Sequence, residues 1–377
     1  MSEKIFIISG ESSGEMYGAS LIKELLFLNN SFEISGIGGQ NFINAGAKIL
    51  FNYSEINFIG FSAIIKNIFV IKKRLNKCVE FVRSTNPSAV ILIDFPGFNL
   101  KFIKEIRKFY HGKIIYYISP QLWAWHKSRV KIIQDYVDKM LVIFPFEVDF
   151  YKNENVEAEY VGHPLKERTD QFLIDADNKL NDGNAKILTL MPGSRKEEVE
   201  RILPVLLEAS LILKKEFGLK LNLLCSGNLD KSFYEKFVTG HNIELIYDDG
   251  SKKIEFETIY KSDLLFTKSG TSTVECALLK SPFCIVYKAG LLNYIIGKYF
   301  LKLKNIGMAN ILLDKNAVKE FIQEDCNKNN LINEGKKILQ DEAYRNEMIR
   351  NFDKLDILLG NKKASENAAK IIYNLIG

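Results

Sequence analysis

The chain has 377 residues, of which 47% are hydrophobic, and this content is ample for two hydrophobic cores. Lysine and arginine together number 51 against 46 acidic residues, which leaves a formal net charge of +5. A mild basic excess suits phosphate-bearing ligands or an anionic membrane surface, and without a dense basic block we expect no nucleic-acid partner.

The cysteines and the N-terminus indicate the compartment. The five cysteines are odd in number and lack CxxC or Cys/His spacing, so they predict neither a disulfide framework nor a zinc site. The first residues, MSEKIFIISG, run from charge directly into a predicted strand, which is unlike a signal peptide, and no run of about 18 apolar residues is present. We therefore expect a cytoplasmic protein with reduced thiols.

A glycine-rich loop follows the first predicted strand, Lys4–Ser9, and precedes a helix from about Glu15 to Leu28. Its sequence, GESSG, is neither GxGxxG nor a Walker loop, so it predicts neither a Rossmann dinucleotide site nor a P-loop. A phosphate or a sugar can bind against such a loop, but a tight turn that needs glycine for steric reasons explains the residues equally well. The candidate contacts here are Glu11, Ser13 and Gly14.

Asp94 ends the fully apolar strand Ala89–Ile93. Open parallel sheets bind ligands at the carboxyl ends of their strands, and an Asp beside a substrate hydroxyl is a candidate general base. A loop Asp that caps a helix starting near Asn99 is the alternative, and both interpretations stay open.

Both tryptophans, Trp123 and Trp125, lie in the loop after the next predicted strand, Lys113–Ile118. Indole faces suit sugar rings and acyl chains, and a purely structural aromatic pair at the sheet edge is the alternative. We take Trp123 as a candidate acceptor contact.

Two segments mix apolar residues with lysines, Phe58–Arg74 and Gly290–Lys304. Such a face can lie on an anionic membrane surface, or it can pack into the core and end in a solvated basic turn.

A second series of strands and helices follows a polar stretch, Lys166–Asn184, which reads as a linker. The strand Lys186–Leu190 leads into the turn MPGSR and a helix from about Lys196. Gly193 and Ser194 offer main-chain donors at the helix start, and Arg195 can make bidentate bonds to a diphosphate.

The segment LLFTKSGTSTVEC, Leu264–Cys276, repeats this arrangement. An apolar strand is followed by a small-residue turn and a helix start, whose unpaired N–H groups can hold a phosphate. Glu275, one turn into the helix, can accept both hydroxyls of a ribose. The alternative is a capping box formed by Ser272 and Glu275. The residues of the predicted turn are Ser269, Gly270, Thr271, Ser272 and Thr273.

Several short strings occur in order between Ile5 and Asn310: SGESSGE, GIGG, IDFPGFNL, SPQLWAW, FPFE, VGHPL, MPGSR and SGTSTVEC. Through these strings the chain resembles the lipid-A-disaccharide synthase family. The repeated strand and helix series is typical of GT-B, an α/β fold of two doubly wound Rossmann-like domains facing a cleft. We expect an acceptor-side domain at residues 1–166, a UDP-sugar domain at 185–345, and C-terminal helices at 346–377. Those helices either pack back on their own first domain or swap into a partner, so a homodimer stays open.

The resemblance implies an inverting transfer of 2,3-diacylglucosamine from its UDP derivative to the 6-hydroxyl of 2,3-diacylglucosamine 1-phosphate, without a metal or cofactor. It makes Asp94 the general base, and it gives the PGSR turn, the SGTSTVE turn and Asn310 to the donor nucleotide. Family members often have Asp at the places of Gly97 and Glu15, and the glycine leaves Asp94 as the sole candidate base in its loop. Acylated substrates favour peripheral binding at the inner face of the cytoplasmic membrane.

Two alternatives remain at this point. Another GT-B enzyme, such as a UDP-GlcNAc 2-epimerase, needs neither acyl chains nor a second sugar. A non-catalytic nucleotide-sugar binder would lose only affinity on replacement of Asp94.

Overall fold

Two compact units make up the chain, and each is built on one parallel sheet. A computed structural model describes residues 3–58, 66–123, 129–176, 185–248, 250–290 and 304–377. The first unit comprises Met1–Glu167 with Asn361–Gly377, and the second comprises Arg168–Gly360. The alternation of parallel strands and helices in both units confirms the predicted α/β class.

The sheet of the first unit has seven parallel strands in the order β3-β2-β1-β4-β5-β6-β7. The strands are β1 (Lys4–Ser9), β2 (Glu33–Gly38), β3 (Lys48–Asn52), β4 (Ala89–Ile93), β5 (Lys113–Tyr117), β6 (Lys139–Val142) and β7 (Ala158–Tyr160). The connecting helices are α1 (Ser12–Leu28), α2 (Gln40–Asn44), α3 (Ile68–Thr85), α4 (Pro96–Ile106), α5 (Val130–Tyr136) and α6 (Pro145–Asn153). Every residue of β4 is buried, which explains its continuous apolar sequence, because helices cover both faces of a parallel sheet.

The sheet of the second unit has six parallel strands in the order β10-β9-β8-β11-β12-β13. The strands are β8 (Ile187–Met191), β9 (Lys220–Cys225), β10 (Glu244–Tyr247), β11 (Leu264–Lys268), β12 (Phe283–Tyr287) and β13 (Glu320–Ile322). The helices are α8 (Lys196–Phe217), α9 (Lys231–Val238), α10 (Lys253–Lys261), α11 (Ser272–Leu278), α12 (Met308–Leu313), α13 (Lys328–Gln340) and α14 (Glu342–Leu359).

Each sheet has one point at which the strand order reverses. In the first unit the reversal lies between β1 and β4, where Ser9 pairs with Ile93. In the second it lies between β8 and β11, where Met191 pairs with Thr267. Loops leave the sheet in opposite directions at such a switch point and open a crevice beyond the carboxyl ends of the strands. Asp94 follows β4, and the PGSR and SGTST turns follow β8 and β11, so the predicted residues lie at these two points.

The last helix, α15 (Ala364–Ile376), belongs to the first unit. Its Asn367 side chain donates to Val161 O at 3.1 Å, and the Tyr373 ring lies 6.1 Å from that of Phe32. The preceding helix, α14, stays with the second unit, so the boundary lies at Gly360. The sequence predicts that the second domain ends at residue 345.

The predicted linker at residues 166–184 is wrong for its first part. Residues Pro164–Asp175 form a helix, α7, because proline suits the first helical position and a few positions are buried. Thr169 is buried, and the ring of Phe172 packs against those of Phe256 and Tyr260. The polar composition concealed this helix because its apolar contacts are few.

Apolar surface is exposed at the start of α3. Ile68, Phe69 and Val70 are 51%, 83% and 40% exposed. These residues come from the first lysine-edged segment, of which residues 59–65 lie outside the described residues, as do residues 291–303 of the second segment. No helix in the described ranges is long and apolar enough to cross a membrane.

Candidate functional site

The main chain of Asp94 is held firmly at the first switch point. Its N–H donates to Ile118 O, and its carbonyl oxygen accepts from the Tyr116 hydroxyl at 2.6 Å and from Asn99 Nδ2 at 2.7 Å. Asp94 and Phe95 both have a left-handed backbone, with φ of 44° and 48°. The following helix begins at Pro96 with Phe95 as its N-cap, so Asp94 is not the cap that the alternative interpretation required.

Burial and, to a smaller extent, the nearby Glu11 carboxylate raise the pKa of the Asp94 carboxyl to about 7, against the opposing effect of the Phe95 N–H, which donates to it. A carboxylate with a pKa near the working pH suits general-base catalysis, because it is ionised enough to accept a proton and basic enough to hold it. The structure thus brings Asp94 and Glu11 together at one switch point.

The glycines of the GESSG loop are needed for steric reasons. A Cβ atom on Gly10 would lie 2.2 Å from the Phe95 ring, and one on Gly14 would lie 2.8 Å from Ser9 Oγ. Because Gly14 is buried, it shapes the loop, while Ser13 in the first turn of α1 and Glu11 before that turn are partly exposed. Glu11 and Ser13, together with the exposed Ser12, are therefore the residues of this loop that a ligand can reach.

The two positions where the chain departs from the family pattern differ in character. Glu15 is buried and accepts from the N–H of Asn41 at 2.9 Å and from its Nδ2 at 3.3 Å, so it joins α1 to α2. Gly97 is exposed in the first turn of α4, and among the residues that the structure describes no atom lies within 4 Å of the place where its Cβ would be. An Asp would fit at position 97 without a clash.

A buried carboxylate that the sequence reasoning missed holds Trp123. The indole Nε1 donates to Glu147 Oε1 at 3.3 Å, and the Phe144 N–H donates to Oε2 at 3.1 Å. Burial raises the pKa of Glu147 to about 8, and these donors and Ser119 oppose that rise. Trp123 is thus anchored beside the sheet, with its ring edge-on to Phe146 at 5.1 Å. The string FPFE contained the signal, while Trp125 lies outside the described residues.

The PGSR turn at the second switch point presents a helix start. Gly193 has a φ of 114°, which a residue with a side chain rarely adopts, and its Cβ would lie 2.7 Å from Glu198 Oε2. Helix α8 begins at Lys196, and no side chain in the described part of the chain caps it. Its first N–H groups therefore have no acceptor within the helix and are available to an anion, with Ser194 exposed beside them.

Lys268, another residue not predicted, supplies a second positive charge here. Arg195 Nη1 lies 3.1 Å and Lys268 Nζ lies 3.0 Å from the same atom, Glu198 Oε1. One carboxylate thus holds two cations, which leaves a net positive charge at the ends of β8 and β11. Its sequence signal was the lysine at the end of LLFTK.

In the SGTST turn the main chain, rather than the side-chain hydroxyl groups, is available to a ligand. Ser269 Oγ donates to Ile306 O at 2.9 Å, Ser272 Oγ donates to Lys268 O at 3.2 Å, and Thr273 Oγ1 donates to Gly270 O at 2.8 Å. Thr271 is exposed, and the Cβ of a residue at position 270 would meet no atom of the described residues within 4 Å. The open space at Gly270 is where a ligand can approach the main chain closely.

Glu275 is not part of a capping box, because no side chain caps α11. Instead its Oε1 accepts from Lys252 Nζ at 3.3 Å, and Lys252 Nζ also lies 2.7 Å from Glu255 Oε1. Glu275 is only 2% exposed, and its Oε2 has no hydrogen-bond partner in the described part of the chain. Like Lys268, Lys252 is a residue of this region that the sequence did not predict.

Asn310 uses its side chain within the unit. Its Nδ2 donates to Val318 O at 2.8 Å and to Glu320 Oε1 at 2.7 Å, while its Oδ1 accepts from the Val318 N–H at 2.9 Å. The amide thus joins α12 to the residues around β13. A nucleotide contact by this residue would have to come from its main chain in the first turn of α12.

Comparisons with known proteins agree with these features. A family model described as Lipid-A-disaccharide synthetase matches residues 5–373. The Lipid-A-disaccharide synthase 1 of Legionella pneumophila is 34% identical over 367 residues, which are 96% of this chain and 95% of the relative.

Solved structures resemble the fold at low identity. A UDP-GlcNAc 2-epimerase from Methanocaldococcus jannaschii, in complex with UDP-GlcNAc and UDP, has a TM-score of 0.65 at 15% identity over 98% of this chain and 99% of that one. A structure titled the glycotransferase of kitacinnamycin has a TM-score of 0.62 at 13% identity and covers 100% of both chains. These likenesses are evidence for the fold alone, and they confirm the GT-B class. Because the family model spans nearly the whole sequence and the relative exceeds 30% identity, the chain belongs to the lipid-A-disaccharide synthetase family.

Proposed function

We propose that the chain transfers 2,3-diacylglucosamine from UDP-2,3-diacylglucosamine to the 6-hydroxyl of 2,3-diacylglucosamine 1-phosphate. The products are the β-1,6-linked tetraacyl disaccharide 1-phosphate and UDP. The family makes the chain a hexosyltransferase of lipid A biosynthesis. The roles of individual residues given below are our assignment, and the observation that best supports this assignment is the position of Asp94 at a switch point.

Asp94 is the general base of this proposal. As the acceptor O6 attacks C1 of the donor sugar, its proton passes to the Asp94 carboxylate, the bond from C1 to the diphosphate oxygen breaks, and UDP leaves with the electron pair. Attack opposite the leaving group inverts the configuration at C1. The raised pKa of Asp94, about 7, supports this role because the residue can accept the proton near neutral pH. Glu11, Ser13, Gly14 and Trp123 are assigned to the acceptor side.

The leaving UDP needs compensation for its developing negative charge, and the second unit offers it. Arg195 and Lys268 supply cations, and the start of α8 supplies main-chain donors from Gly193, Ser194 and the residues that follow. The Gly270 turn supplies more donors, and Glu275 is assigned to the ribose hydroxyls. Fixed charges of this kind can stabilise a diphosphate leaving group without a metal ion.

We also propose that the enzyme works at the inner face of the cytoplasmic membrane. Both substrates carry acyl chains, and the exposed apolar start of α3 is followed by Lys72 and Lys73. Apolar side chains that insert between acyl chains, beside lysines that meet anionic headgroups, are the two signals of peripheral binding.

The UDP-GlcNAc 2-epimerases share the fold with this chain but not its family, so the epimerase alternative is not favoured. The test is incubation of the enzyme with both acylated substrates, followed by mass spectrometry of the lipid product. A tetraacyl disaccharide phosphate is expected, and an epimerised nucleotide sugar with unreacted acceptor would refute the proposal.

Replacement of Asp94→Asn tests the general base. Turnover should fall by a factor of about 10² to 10⁴, while the affinity for UDP stays unchanged, because the base acts only on the acceptor hydroxyl. Asp149→Asn, at an exposed position on α6, is the matched control. Full turnover in the Asp94 variant would exclude this residue as the base, and loss of UDP binding would indicate a folding defect instead.

A further inference from the structure

We propose that Lys252 is a positioning residue that orients the Glu275 carboxylate and leaves its Oε2 free to accept from the ribose hydroxyls of the donor, an inference that rests on the proposed function. The ligand class is a nucleoside diphosphate with free 2′ and 3′ hydroxyls. Lys252 does not touch the ligand in this proposal. It acts through Glu275.

The loop before α10 holds Lys252 in an unusual backbone conformation. Its φ is 67°, in the left-handed region that residues with long side chains seldom occupy. The Asp248 carboxylate stabilises this turn, because its Oδ2 accepts from the N–H of Gly250 at 2.8 Å and from the N–H of Lys252 at 3.0 Å. A strained position that the surrounding structure holds in place is a common feature of functional sites.

The side chain of Lys252 reaches from this loop to the first turn of α11. Its Nζ lies 2.7 Å from Glu255 Oε1 and 3.3 Å from Glu275 Oε1, and the side chain is 25% exposed. Two carboxylates therefore share one ammonium group, and burial together with the neighbouring Glu275 raises the pKa of Glu255 to about 7. Glu275 is the more deeply buried of the two carboxylates, and the ammonium group of Lys252 is its cationic partner.

The unused oxygen of Glu275 indicates a missing donor. Buried polar atoms in proteins almost always have a hydrogen-bond partner, yet Oε2 has none in the described ranges. The ammonium group contacts Oε1 only and thereby fixes the orientation of the carboxylate. The vicinal hydroxyls of a ribose are donors of the right kind for the second oxygen, and Glu275 lies one turn after the Gly270 turn assigned to the diphosphate.

A purely structural ion pair is the competing explanation, and a pair of ligands separates the two. UDP and 2′,3′-dideoxyuridine 5′-diphosphate differ only in the ribose hydroxyls, so the ratio of their dissociation constants reports the contact with Glu275. Isothermal titration calorimetry would measure both constants. Hydrogen bonds to a charged group make this ratio about tenfold or more in the unaltered protein.

Three variants test Lys252. In Lys252→Met the ratio should fall close to one, while the affinity for the dideoxy ligand stays unchanged. The double variant Lys252→Met, Glu255→Gln loses one positive and one negative charge. It therefore does not leave two carboxylates without a cation, which could unfold the protein. The same fall in the ratio of dissociation constants is expected there. Lys252→Arg keeps the charge and should restore much of the ratio. Lys261→Met, which removes an exposed lysine from the following helix, α10, is the control.

The outcomes are distinct. A ratio that persists in the folded double variant overturns the inference, and so does an equal loss for both ligands, which would indicate a structural ion pair. Failure of the unaltered protein to bind UDP at all would refute the proposed function itself. A lost ratio in the Lys252 variants with Lys261→Met unchanged supports the positioning role.

Discussion

Removal of the negative charge at Glu11 should shift the pH dependence of the reaction to lower pH. Burial and Glu11 raise the pKa of Asp94 from 3.8 to about 7, which corresponds to a free-energy cost of about 4 kcal/mol for ionising the carboxyl group. At pH 6 only about one tenth of the Asp94 carboxyl is then ionised, against about nine tenths at pH 8. For a base that must be ionised, kcat/KM should rise about tenfold over this interval. In Glu11→Gln the pKa of Asp94 falls, so the rise begins at lower pH.

The assay is kcat/KM for the donor between pH 5 and 9, because this quantity reports groups of the free enzyme. Glu80→Gln, at an exposed position on α3, is the control and should leave the profile unchanged. Titration of the acceptor phosphate affects all variants alike, so only the difference between profiles is interpreted. A flat profile, or a Glu11→Gln profile that coincides with that of the unaltered enzyme, would refute the role of Asp94 or its coupling to Glu11.

Three further predictions concern single side chains. In calorimetry, Lys268→Met should weaken UDP binding about tenfold and reduce the dependence of the affinity on salt concentration. Lys231→Met, at an exposed position, is the control. An unchanged salt dependence in Lys268→Met would exclude a contact between Lys268 and the diphosphate. Burial raises the pKa of Glu147 from 4.5 to about 8, so its contribution to stability is full below about pH 4.5 and is lost as the pH rises to about 8. Glu147→Gln should therefore gain stability relative to the unaltered protein across this window in urea unfolding, whereas a constant difference would contradict the raised pKa. Phe69→Ser should lower binding to phosphatidylglycerol vesicles about tenfold in a flotation assay. Phe27→Ser, which replaces a similarly exposed ring, is the control and should not lower it. Equal binding by the two variants would show that α3 does not contact the membrane.

The sequence pattern predicted buried strands and glycine turns well. The bounds of β1 and β4 agree with the prediction at both ends, because fully buried parallel strands are continuous apolar runs. The PGSR and SGTST turns were found for the same reason, since apolar strands and helix starts flank them. The prediction of a linker failed at α7, where few apolar contacts hold a largely polar helix.

The charged partners of the site did not follow from the sequence. Lys252 and Glu275 are 23 residues apart, one in the loop before α10 and the other in the first turn of α11. Arg195 and Lys268 meet at Glu198 only because β8 and β11 are neighbours in the sheet, which is part of a strand order that no local pattern specifies.

The amino-acid sequence by itself determined the α/β class, the family resemblance and the residues of each glycine turn, because side-chain burial and backbone sterics act over a few neighbouring residues. Only the tertiary structure decided that Glu147 anchors Trp123, that Asn310 uses its amide internally, and that Lys252 leaves one oxygen of Glu275 free. Such contacts depend on strand order and on distances between separate loops, which the packing of the whole unit sets.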